Sequence, residues 1–246
     1  MKKSNLWLGA ALALLLLALS AYNLGLRAEY RRGTFRDPLR GTTALSFRDF
    51  DAVDLPAATA LNVRLTAGPY AVRVNDDAAK YLKITQQGRR LTVALVFPEE
   101  RKYLGRGEAL TLSLPRLREL HTGGTYSEKG RVITQQPGDD GPGGRTVRLR
   151  GFGQNEGGDS LTLRQDQASR VELSGCRLAY LRAETGRSAG SRAQLDIGPD
   201  NRIAAADLRL PQRGELRLAT RIGAVRYQVG DSATVTLSGA GLGGLR

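Results

Sequence analysis

One histidine, one cysteine and three pairs of adjacent acids are the side chains here best suited to acid–base, nucleophilic or metal chemistry. His121 lies in Leu120-His121-Thr122-Gly123, beside a turn. A Ser-His-Asp triad or a histidine-based metal site would have to use it, and its turn-adjacent position reads as structural. Cys176 follows the turn at Ser174-Gly175. A single cysteine forms no intrachain disulfide, and a free one usually behaves as a small buried hydrophobe. The acid pairs are Asp76-Asp77, Glu99-Glu100 and Asp139-Asp140. Calcium needs several converging oxygens. Neighbours on a strand point apart, so only a loop pair could share an ion, and Asp139-Asp140 reads as a solvated turn.

No HExxH, CxxC, Walker A or G-x-S-x-G pattern occurs. The cluster from Gly151 to Gly157 misses G-x-G-x-x-G by one residue. That from Gly239 to Gly244 leaves no room for a phosphate-holding helix. No catalytic residue, cofactor-binding residue or metal ligand is assigned, and no cofactor is expected.

The arginines remain. The formal net charge is +13, and 31 of the 37 basic residues are arginine. Such a surface attracts anionic matter. Arg164, Arg182, Arg209, Arg217 and Arg226 stand at strand or strand-end positions in successive segments. If those strands stack, some of the five form a basic ladder for an anionic envelope polysaccharide or lipid headgroups. No specific nucleic acid is expected. The competing reading is a solvated face that discourages edge-to-edge aggregation.

The elements that would position these arginines are strands. From Asp159 to Gly239 an apolar residue recurs at every second place, as in Leu161/Leu163, Val171/Leu173, Leu195/Ile197, Leu208/Leu210, Leu216/Leu218, Val225/Tyr227/Val229 and Val235/Leu237. Period two marks a strand with one face buried. Turns at Gly175, Gly198, Gly223 and Gly239 are spaced at about 20 residues, which fits a β-solenoid. A β-sandwich would also show short strands, with bulkier aromatic core residues. The first half has longer strands, notably Leu91/Val93/Leu95/Phe97. A Gly/Pro-rich loop at 137–158 divides the halves and reads as an internal boundary within one domain, 44–246.

Lys2 and Lys3 precede a run without charge from Leu6 to Leu26, with Trp7 and Tyr22 near its ends. About 20 apolar residues cross a bilayer as a helix, and such rings favour its interfaces. Residues 1–26 therefore read as a signal anchor that contacts the membrane through 6–26. A cleaved signal peptide, cut near Ala18-Leu19-Ser20, with a secreted product, is the alternative. Residues 27–43 read as a basic juxtamembrane linker. The charge balance between Lys2, Lys3 and Arg27, Arg31, Arg32, Arg36 slightly favours a cytoplasmic C-terminal part.

Several segments together resemble the bacterial auto-transporter adhesin, head GIN domain family of the Bacteroidetes type. They are Phe47-Arg48-Asp49-Phe50-Asp51-Ala52-Val53, similar to its opening strand, and the stretch from Ala60 to Gly68. To these add Val72-Arg73-Val74-Asn75-Asp76, Gly88-Arg89-Arg90-Leu91-Thr92-Val93 and the stretch from Leu114 to Leu120. Leu173-Ser174-Gly175 and Leu237-Ser238-Gly239-Ala240 resemble its recurring turns. The resemblance spans about residues 45–246, and departs from the family at the 137–158 loop and at Cys176. It implies a right-handed β-helix-like fold in an exported, envelope-attached protein, and brings no catalytic residues.

The expectation is thus an all-β, right-handed β-helix or solenoid-like domain preceded by one N-terminal transmembrane helix. It would be a non-enzymatic, adhesin-like or structural binding module on the outer side of the cytoplasmic membrane, and could self-associate. The alternatives are a β-helix enzyme acting on acidic polysaccharide and a cytoplasm-facing membrane scaffold.

Overall fold

The computed structural model describes residues 3–32, 41–105, 107–135, 144–154 and 158–245. Most of the basic linker (33–40) and much of the Gly/Pro-rich loop (137–143 and 155–157), with the Asp139-Asp140 pair, lie outside the described residues.

The chain divides into two units, 1–42 and 43–246. The first is built on α1 (Lys3–Arg32). Leucine and alanine dominate it and favour the helix. Its apolar stretch, Trp7–Arg31, is 25 residues with a mean hydropathy of 1.8. At 1.5 Å per residue this is about 37 Å, enough to cross a bilayer core. Arg27, Glu29 and Arg31 end the apolar run but not the helix, which continues past Leu26 to Arg32.

The second unit is almost entirely strand. Its first half holds β1 (Thr42–Leu45), β2 (Ala52–Leu55), β3 (Val63–Ala67), β4 (Ala71–Asn75), a one-turn α2 (Asp76–Ala79), β5 (Leu82–Gln87) and β6 (Arg90–Phe97). Then come β7 (Leu110–Leu114), β8 (Glu119–Thr122), β9 (Thr125–Glu128) and β10 (Arg131–Thr134). The second half holds β11 (Val147–Arg150), β12 (Asp159–Gln165), β13 (Arg170–Ser174), β14 (Arg177–Thr185) and β15 (Gln194–Ile197). It closes with β16 (Arg202–Leu210), β17 (Glu215–Leu218), β18 (Ile222–Val229), β19 (Thr234–Leu237) and a 3-10 turn, Gly239–Leu245.

These strands form two open sheets, ordered β1-β4-β7-β3-β11-β13-β15-β17-β19 and β10-β9-β6-β2-β8-β12-β14-β16-β18. From β11 onward the chain alternates between sheets, and each strand pairs in parallel with the strand two elements later. Equivalent core residues therefore fall in columns. Val147, Val171, Leu195, Leu216 and Val235 share one register line, at intervals of 24, 24, 21 and 19 residues. Leu163, Ala183, Leu208 and Tyr227 share another in the opposite sheet. Parallel sheets usually read as unbroken apolar runs because helices cover both faces. Here each sheet buries one face, so the alternation survives.

The all-β reading with one apolar N-terminal helix holds. Locally, the stretch taken as an opening strand from Phe47 becomes strand only at Ala52. Asp76 and Asp77 form the first turn of α2, where the Asn75 side chain accepts from the Asp77 amide at 3.0 Å. They start a helix rather than gather a cation. The antiparallel pairs β5/β6 and β4/β7 belong to the first half alone. At the other end the last turn is thinly covered, and Tyr227 and Val229 are 39% and 46% exposed.

Candidate functional site

Outward-facing positions line up as strictly as inward ones, so the register fixes the neighbours of each arginine. On the second sheet one outward row runs Glu119, Thr162, Arg182, Asp207, Arg226. The next runs Asp54, His121, Arg164, Glu184, Arg209, Gln228. Arg164, Arg182, Arg209 and Arg226 are thus brought onto one face, but acids interleave with them. Arg209 is held by Asp207 at 2.9 Å. Arg217 lies on the other sheet, against Glu215 at 2.7 Å, with Asp196 at 3.9 Å. Around it Arg170 joins Asp196 at 2.8 Å and Arg148 joins Glu172 at 3.3 Å. The five arginines stand in two surfaces of mixed sign.

His121 sits within the second-sheet row between Asp54 and Arg164. Burial, and then the nearby Arg90, hold its imidazole below its usual range. Its Nε2 is buried without a hydrogen-bond partner. Cys176 is buried and free, and burial pushes its thiol pKa up. A thiol so placed is inert filler. Among the described residues no group of three or more His, Cys, Asp or Glu side chains could hold a metal ion.

A second set of arginines was not singled out by sequence reasoning. Arg177 and Arg202 are partners in the β14/β16 register, and Arg221 directly precedes Ile222, the partner of Ile203. The three form a column at the corner where the chain enters the second sheet. All are exposed, and none makes an ion pair among the described residues. The column borders a groove of about 700 Å³ whose floor includes Leu178, Ala179, Ile203 and Ala204.

The corner is rigid for stated reasons. The residue before each arginine is buried: Cys176, Asn201 and Thr220. The Asn201 carboxamide accepts from the Cys176 amide at 2.9 Å and donates to the Leu173 and Gly198 carbonyls, both at 2.8 Å. Thr220 Oγ1 donates to the Asn201 carbonyl at 2.7 Å. Just beyond Arg177 the β12/β14 pairing slips by one residue at Ala179, while the β14/β16 and β16/β18 pairings keep their register past Ala204 and Gly223. A bulge of this kind bends the strand that carries it. A Cβ on Gly223 would lie 2.6 Å from the Ala204 carbonyl oxygen, and one on Gly153 (φ 78°) would overlap the Arg177 carbonyl. The available signal was the phase of the pattern: each arginine follows a turn and stands at or just before the start of a long strand.

Fold and surface define a β-rich protein with an apolar N-terminal helix and an arginine-rich exterior. No protein-family model and no curated protein sequence matches the chain. Among solved structures it is similar to a putative adhesin from Bacteroides fragilis, with a TM-score of 0.50 and 10% identity over 80% of this chain and 95% of that one. A putative adhesin from Parabacteroides merdae gives a TM-score of 0.29 at 12% identity, covering 80% and 95%. A putative lipid binding protein from Parabacteroides distasonis gives 0.35 at 14%, covering 80% and 94%. The first of these likenesses bears on the fold.

Proposed function

We propose that residues 44–246 wind as a right-handed β-solenoid, of the head GIN type, held at the bacterial cell envelope by the N-terminal helix. The domain stands outside the cytoplasmic membrane and works by binding other envelope components rather than by catalysis. The observation that carries this reading is the pairing pattern from β11 to β19, in which each turn of chain adds one strand to each sheet. Right-handedness follows from the strong preference of parallel crossovers for that hand. The resulting outer rows repeat one side-chain position every turn, which suits an extended ligand better than a small one. Fold likeness to a protein described as a putative adhesin agrees with a binding role.

An enzyme on this scaffold would need carboxylates converging with arginines. No Asp or Glu lines the corner groove among the described residues. Asp200, two residues from Arg202, makes no ion pair there. Self-association would use the thinly covered last turn around Tyr227 and Val229.

A reporter that is active only outside the cytoplasm, fused after residue 246, tests the placement. Activity is expected. A silent reporter beside an active cytoplasmic one reverses the orientation in favour of a cytoplasm-facing scaffold.

A further inference from the structure

The corner arginines differ from Arg182 and Arg226 and from Arg164 and Arg209 in that no acid stands between them in the register. Strands in a sheet lie about 4.8 Å apart, so Arg177, Arg202 and Arg221 present like charges at roughly that interval. Like charges at that distance repel one another even in water. On the sheet faces acids pair with arginines, as Asp207 does on the second sheet and Asp196 and Glu172 do on the first. At the corner none does among the described residues. The fold instead fixes the column with buried, hydrogen-bonded residues and leaves a groove beside it.

We propose that this groove binds a linear carboxylated polysaccharide, with successive carboxylates meeting Arg177, Arg202 and Arg221. The inference rests on the reading of the chain as an envelope binding module and names its ligand class. A guanidinium matches a carboxylate with two parallel hydrogen bonds. An extended chain of pyranose rings advances by about one ring per strand spacing, so one acidic sugar falls on each arginine. The floor is shallow, and small at Ala179 and Ala204, which leaves room for a ring to lie flat. Leu178 and Ile203 are only 3% and 4% exposed, so there is little apolar surface to take an acyl chain. Among the described residues no aromatic side chain lines the groove to stack a nucleic-acid base.

The test is titration of polygalacturonate into the full chain held in lipid nanodiscs. Dextran serves as the neutral control, with phosphatidylglycerol vesicles and single-stranded DNA as the other anionic probes. The triple variant R177Q/R202Q/R221Q is expected to weaken polygalacturonate binding by about 10-fold or more, at exposed-ion-pair strengths summed over three contacts. R182Q/R226Q, on the mixed-sign face, is expected to change it by less than about 2-fold. Ala204→Glu places a carboxylate on the exposed floor without touching an arginine, and is expected to weaken binding too. Circular dichroism confirms that each variant keeps the parent fold. Unchanged affinity in both the triple variant and Ala204→Glu overturns the proposal. So does binding of vesicles or DNA through the three arginines with none of polygalacturonate. Either result leaves the placement outside the membrane standing, since that fails only on the reporter.

Discussion

Two groups of arginines sit on one stacked scaffold and meet opposite fates. On the flat outer face of the second sheet Arg182 and Arg226 flank Asp207, and Arg164 and Arg209 flank Glu184. At the corner Arg177, Arg202 and Arg221 stack with no acid between them. Both groups come from the same repeat, one residue per turn of chain. The difference lies in what register places beside them. A flat face built from exposed strands stays soluble and folded when charges alternate across neighbouring strands. A column left at one sign stands out as a feature the fold tolerates at a cost.

The largest expected effect probes the rigidity of the corner. Asn201 is 3% exposed and joins three strands' worth of backbone through its carboxamide. Asn201→Ala leaves a buried amide and two carbonyls without those partners, and is expected to lower stability by about 2–4 kcal/mol in denaturant unfolding. Arg182→Gln, on the flat face, is expected to lie within about 0.5 kcal/mol of the parent. Equal losses in the two variants would show that the corner is no better fixed than the face.

Asp207→Asn sharpens the comparison from the other side. It removes the acid between Arg182 and Arg226 and frees Arg209, making the flat face resemble the corner. The Arg209 guanidinium faces solvent, so losing the pair is expected to lower stability only slightly. Polygalacturonate affinity of the triple corner variant is expected to rise by about 2- to 5-fold when Asp207→Asn is added, most clearly at low salt. No rise would mean that charge alone does not make a site here and that the groove's shape is required.

Much of the fold was legible in the sequence. The period-two pattern from Leu161 to Leu237 located the strands of the second half, and the glycine turns located most of their ends. The run from Leu6 to Leu26 located the helix. What the pattern could not convey was register between strands, because a linear sequence does not say which outward residue lies beside which. Arg164, Arg182, Arg209, Arg217 and Arg226 read as strand or strand-end positions of one ladder, yet Arg217 lies on the other sheet, and apart from Asp207 beside Arg209 the acids between the remaining four come from segments about 20 residues away. Arg177, Arg202 and Arg221 looked like residues flanking turns. Their alignment appears only once Ile203 is seen to pair with Ile222.

His121 gives the smallest expected effect and a way to test the flat face by pH. Asp54 and Glu119 favour its charged form, while burial, Arg90 and Arg164 oppose it, and the opposing side prevails. The folded protein therefore binds a proton here less readily than the unfolded chain does. Stability is then full above the ordinary histidine pKa near 6.5 and declines as the pH falls through that value toward the lowered one. A small drop in melting temperature is expected between pH 7.5 and 5.5, and His121→Gln should reduce it. The corner column has no group that titrates in this range, so polygalacturonate affinity should be nearly level over the same interval at constant ionic strength. If affinity instead tracked the melting temperature and lost its pH dependence in His121→Gln, the ligand would be meeting the flat face beside Arg164, and the separation of the two arginine groups into one structural and one binding set would fail.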